Sequence, residues 1–136
     1  MDLLQRSIAG LPAFLLYLAV SLTLLALFIT IYVWITPYRE LELIRKGNAA
    51  AAASLSGTVL GFAIPVAHAV AQSVNLADMV LWAVIALIVQ LIVFFAVTRV
   101  IPGIARDIPE GRVAQGVFLG AVSAATGILN AACMTY

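Results

Sequence analysis

Polar side chains are scarce in this sequence, so those set deep inside apolar runs are the first candidates for chemistry. Gln90 stands in the middle of the run Met79 to Thr98, near the bilayer centre if that run is a helix rising ~1.5 Å per residue. Its amide can contact a substrate or ion, or it can make an interhelical hydrogen bond worth about 0.6–2 kcal/mol. The second use is favoured, with Ser56, Thr58, Ser123 and Thr126 as expected partners. Asn130 lies one helical turn from Thr126 and Gly127 and is expected to cap or bridge helices. His68 is the one titratable group inside an apolar run, with Gln72 and Asn75 on its helical face. A lone His can relay protons, but so near the end of a span it reads better as an interfacial side chain.

The chemistry these groups leave out is informative. No Asp, Glu, Lys or Arg falls within the apolar runs, which argues against a proton- or sodium-coupled pump. There is no Ser–His–Asp set and no pair of carboxylates at membrane depth, so no enzyme activity is expected. One cysteine, Cys133, and one histidine cannot close a four-ligand zinc site or form an intrachain disulfide. No cofactor motif is present. A net charge of +1 points to no nucleic-acid partner.

The elements that must position these residues are membrane spans. Hydrophobic residues make up 65% of the 136 and charged residues 10%, against about 45–50% and 25% in soluble domains. About 20 helical residues cross the hydrocarbon. Four segments qualify: Leu11 to Thr36, Ala49 to Ala71, Met79 to Thr98 and Val113 to Tyr136. Helix is required because an open strand in lipid leaves its amides unpaired. The first run is too long for a signal-peptide core and no small-residue cleavage site follows it, so it is expected to stay as a span.

Charge sets the expected orientation. Arg39, Arg45 and Lys46 follow the first span, and Arg99, Arg106 and Arg112 follow the third, while Arg6 alone lies elsewhere. The positive-inside rule then places both basic loops in the cytoplasm and both termini outside. Tyr32, Trp34, Tyr38, Trp82 and Tyr136 suit interfacial positions. Pro37 and Pro102 end the first and third helices. A shift of 64 residues pairs Ile44 with Ile108, Gly47 with Gly111, Leu55 with Leu119 and Ile64 with Ile128. The chain therefore reads as one four-helix domain made of a tandem two-helix repeat, about 11–71 and about 76–136, related by a pseudo-two-fold axis along the membrane normal.

The two kinds of span differ in composition. The first and third are built of Leu, Ile, Val and Phe. The second and fourth carry Gly57 and Gly61, then Gly116, Gly120 and Gly127, with many alanines. Small residues four apart give a flat face for close helix approach where lipid offers no hydrophobic drive. The second and fourth helices are thus expected to pack on each other or on another copy, with the first and third outside. Pro65 is expected to kink the second.

Several stretches taken together resemble the YjfL-like bacterial inner-membrane family, domain of unknown function 350. They are Ile35–Pro37, Asn48–Ala50, Ser56–Pro65, Ile85–Leu91, Pro102 and Asn130–Tyr136. The resemblance implies a tandem two-helix repeat in a bacterial inner membrane and brings no established activity. The family pattern has Asn where this chain has Arg112. The expected function is a non-enzymatic scaffold or accessory subunit that self-associates, or contacts other membrane proteins, within the lipid bilayer. The alternative is an oligomeric channel or facilitator for a small solute or ion, lined by Gln90, Ser56, Thr58 and Ser123.

Overall fold

The computed structural model describes residues 2–134. Its helices are α1 (Leu3–Ala9), α2 (Leu11–Ile35), α3 (Glu40–Arg45), α4 (Ala49–Gln72), α5 (Leu76–Val100), α6 (Ile104–Asp107) and α7 (Val113–Cys133). Four stretches are long and apolar enough to cross a membrane: Leu3–Ile35, Ala49–Gln72, Leu76–Val100 and Val113–Cys133. The chain is an all-α, multi-pass membrane protein. Tyr136, expected at an interface, and Thr135 of the last family stretch lie outside the described residues.

Local chemistry sets the boundaries. Pro37 has no N–H for the Val33 carbonyl, so α2 ends there and the Thr36 hydroxyl lies 3.2 Å from that carbonyl instead. Asn48 caps α4 by accepting from the Ala51 amide at 3.0 Å, and Asn75 caps α5 through Asp78 at 2.9 Å. The two basic connectors close alike. Gly47 and Gly111 take φ values of +87° and +82°, where a side chain would be strained. Around them the Asn48 amide bonds the Leu43 carbonyl at 2.9 Å, and the Arg112 amide bonds the Asp107 carbonyl at 3.1 Å. α4 runs through Pro65 without a break.

The most extensive contact is between α4 and α7. Paired positions ascend together, Ala50 with Gly116, Ala53 with Gly120, Gly61 with Gly127, so the two helices run parallel. A Cβ on Gly57, Gly116 or Gly127 would overlap the opposing backbone. These contacts lie within one chain. α5 departs from the expectation that both bulky helices lie outside. It packs on α4 and α7 and buries Met79, Ala83, Ala86, Gln90, Val93, Phe94 and Val97. Its small residues Ala83 and Ala86 open the close-approach face that its bulky composition hides. α2 buries just Phe28 and Tyr32. Phe28 stacks on Phe62 at 4.2 Å between ring centroids, and Tyr32 meets Phe94 edge-on at 5.9 Å.

Candidate functional site

The polar groups of the interior fall at three levels. At the end carrying the basic connectors, α3 presents Glu40, Leu43 and Ile44 on one face, spaced i, i+3, i+4. Glu40 is the buried residue of that helix, with no exposed surface. The Thr36 hydroxyl bonds its Oε1, while Oε2 has no partner among the described residues. Tyr38, also buried, reaches the Ser54 hydroxyl. Below it the Tyr32 and Thr58 hydroxyl oxygens lie 3.4 Å apart, and Thr58 donates to the Ser54 carbonyl at 2.9 Å. Every Lys and Arg of the chain is exposed, so no cation neutralises Glu40. Burial pushes its carboxyl up from 4.5 to about 7, against the Thr36 hydrogen bond that favours the ionised form. Burial, then the nearby Tyr32 and Glu40, push the Tyr38 hydroxyl well above its ordinary value.

The middle level is Gln90. It is fully buried, and its Nε2 donates to the Ser123 carbonyl at 3.2 Å. Its Oε1 and the Ser123 hydroxyl have no partner among the described residues. Of the partners expected from sequence, Ser123 is met through its backbone, Thr58 is buried one level up, Thr126 bonds its own helix at Val122, and Ser56 faces outward. Nε2 sits so close to Gly61 that a Cβ there would come within 2.6 Å. The space between Gly61, Gln90 and the Ser123 backbone is filled.

Asn130 forms the third level. It is half-buried, and its Nδ2 has no partner among the described residues. His68 is half-buried towards the other end of α4, away from Gln90 and Glu40 in the chain. The five singled-out glycines, Gly57, Gly61, Gly116, Gly120 and Gly127, all lie between α4 and α7. A groove of about 310 Å³ between α2 and α4, lined by Leu22, Leu25, Phe62, Val66 and neighbours, is apolar and reaches none of these polar groups. Among the described residues no three His, Cys, Asp or Glu side chains converge to hold a metal.

Sequence reasoning missed Glu40, because a carboxylate among Arg39, Glu42, Arg45 and Lys46 reads as a solvated loop charge. Two signals were available. Thr36 and Glu40 are four residues apart across Pro37, and a shift of 64 residues places Glu40 opposite Ile104, which is equally buried.

Asn48 joins the two connectors. Besides capping α4, its Nδ2 donates to the Ile108 and Pro109 carbonyls at 3.0 and 3.2 Å. Asn48→Ala removes a cap and the cross-connection, so it should lower stability by about 2–3 kcal/mol in lipid nanodiscs. Asn48→Asp should fall between, keeping the cap and losing both donations. Arg112, in the corresponding place on α7, makes no side-chain cap and reaches Asp107 and Glu110 instead, at 3.7 and 3.5 Å. Arg112→Asn should therefore gain roughly 0.5–2 kcal/mol in the same measurement.

Comparison with known proteins adds a family. The model of Domain of Unknown Function (DUF350) matches residues 6–134. UPF0719 inner membrane protein YjfL of Escherichia coli (strain K12) is 40% identical over 127 residues, 93% of this chain and 96% of the relative. UPF0719 transmembrane protein YshE of Bacillus subtilis (strain 168) is 35% identical over 79 residues, 58% of this chain and 59% of the relative. No solved structure matches the chain.

Proposed function

We propose, for a chain that belongs to the DUF350 family of membrane proteins, a non-enzymatic role as a scaffold or accessory subunit that associates within an inner membrane. The observation that carries this reading is the sparse packing of the first span. Leu3–Ile35 is 33 residues long, about 50 Å of helix against about 30 Å of hydrocarbon, yet α2 buries only Phe28 and Tyr32 in its own chain. Leu11, Phe14, Leu15, Leu18 and Leu22 are exposed. The glycine faces of α4 and α7 are used inside the chain, so a second copy would have to meet α2 rather than those faces. The test is native mass in nanodiscs, with crosslinking through Leu15→Cys in a Cys133→Ser background. A defined oligomer crosslinked at Leu15→Cys is expected, and a monomer that never crosslinks sinks self-association.

The tandem repeat and the placement of the basic connectors in the cytoplasm belong to the same reading. Support for the repeat comes from the matching turns at Gly47 and Gly111 and from the parallel contact of α4 and α7. Lys46→Cys in the Cys133→Ser background should react with a membrane-impermeant maleimide only from the cytoplasmic side.

A facilitator is the second reading, favoured by the buried polar levels at Glu40, Gln90 and Asn130. Those levels lie inside one chain, not between copies. If they carry a solute, Gln90→Leu should abolish a measured liposome flux. If Gln90 only bridges helices, the same variant should leave flux untouched and lower stability by about 0.6–2 kcal/mol.

A further inference from the structure

The chain holds one acidic group that its fold treats as a core residue. Glu40 has no exposed surface, no cation beside it and one orphaned oxygen. The corresponding place in the second half of the chain is filled by Ile104, so the packing asks for an apolar group. A buried, unpaired carboxylate is costly and becomes neutral instead.

The hydrogen-bond geometry points the same way. The Thr36 hydroxyl has one hydrogen and three oxygens around it: the Val33 carbonyl at 3.2 Å, the Tyr38 carbonyl at 3.4 Å and Glu40 Oε1. Carbonyls only accept, and Pro37 leaves the Val33 carbonyl without its helical donor. That one hydrogen cannot serve all three acceptors, so the donation from Thr36 that would favour an ionised Glu40 is shared, whereas a protonated Glu40 can itself donate to the Thr36 oxygen.

From these observations we infer that Glu40 is a proton-binding site that clasps α3 to the bundle, taking up a proton when α3 is docked and releasing it when α3 lifts. The step moves a proton alone, between bulk water and one carboxylate oxygen, with no redox partner. The groups facing the site from each neighbouring element are few. α2 contributes Tyr32 and Thr36, and the connector contributes Tyr38. Arg39 beside it points outward, pairing with Glu42 at 3.6 Å. α4, against which α3 packs, brings Ser54 and Thr58 and no charged side chain. α5 brings Phe94 against Tyr38 at 6.4 Å, and its Arg99 is exposed. On α6, Ile104 is buried, Arg106 is exposed and Asp107 pairs with Arg112. Ionising Glu40 thus has nothing positive inside to compensate it, and the carboxylate leaves with α3. The basic side chains Arg45 and Lys46 move with it, so a proton controls how that connector is presented. This inference does not depend on the scaffold reading.

Two measurements on the full chain in nanodiscs test it. Infrared difference titration should show a protonated carboxylic acid that ionises near neutral pH in wild type and is missing in Glu40→Gln. Hydrogen exchange of the α3 amides, corrected for intrinsic rate, should lose about tenfold protection per pH unit in wild type as pH rises from the ordinary carboxyl range to that midpoint, and level off above it. In Glu40→Gln, protection should stay at its low-pH wild-type level throughout. An ordinary acidic midpoint for Glu40, or pH-independent α3 protection in wild type, overturns the inference. So does a midpoint that falls when choline is replaced by sodium or potassium, because the pocket then holds a metal cation. Should Glu40→Gln fail to fold, the wild-type titration and exchange profile decide alone.

Discussion

Gly57→Ala should disable the fold of a single chain, not merely an assembly of chains. The added Cβ would lie on the Gly120 backbone, and a backbone atom has no rotamer through which to yield. α4 and α7 would have to separate along a contact that also includes Ala50 on Gly116 and Gly61 on Gly127. Overpacking a well-filled core costs about 1–3 kcal/mol even when side chains can move. Here a loss above about 3 kcal/mol is expected, and Gly57→Leu should not accumulate folded. Gly10→Ala is the matched control, because its Cβ would meet only the Ser7 and Arg6 carbonyls, at 3.6 and 3.9 Å. Thermal unfolding in nanodiscs reads the difference. If Gly57→Ala unfolds like wild type but loses only oligomer mass, the glycine contact lies between copies and the intrachain packing is wrong.

The spans were legible because the bilayer imposes a simple rule on them. Some 20 apolar residues with no charge leave little choice, and the boundaries moved locally: Asn75 starts α5 before Met79, Pro37 stops α2 at Ile35, and α1 carries the first span back to Leu3. The glycines were legible as a packing face because Gly57, Gly61, Gly116 and Gly120 repeat every four residues in one dimension. What they pack against is a question of three dimensions, and sequence left open whether the partner is α7 or another chain. The inward turn of α5 was hidden because two alanines, Ala83 and Ala86, decide it within an otherwise bulky run.

The polar interior was half legible for a different reason. Gln90 announces itself by polarity against its surroundings. Glu40 does not, because its neighbours in sequence are charged and its apolar surroundings come from α2 and α4. Loop charges are usually solvated, and only docking of a six-residue helix removes this one from water. Under the proposed tandem repeat, the comparison of Glu40 with Ile104 carries that information without coordinates, since an apolar residue at the matching position predicts a dry site.

Glu40 should therefore leave a signature in the pH dependence of stability. Its carboxyl sits at about 7 in the fold against 4.5 for the free group, so the folded state holds the proton more tightly than the unfolded one. For an acid shifted upward, the neutral form fits the fold. The favourable contribution is complete below pH 4.5, declines as pH rises through 4.5 to 7, and is gone above that. The slope is about 1.4 kcal/mol per pH unit while it lasts. Glu40→Gln keeps the shape of the neutral acid and cannot ionise. Subtracting its stability curve from wild type removes every other titrating group, and the difference isolates this one carboxyl. Near pH 4 the two proteins should unfold alike. By pH 8 the variant should be the more stable, by up to roughly 3 kcal/mol, less whatever α3 recovers by lifting into water. A variant weaker than wild type at pH 8 would mean that the charge itself is wanted there. The missing partner would then be a cation seated between Glu40 and the hydroxyls of Thr36 and Tyr38.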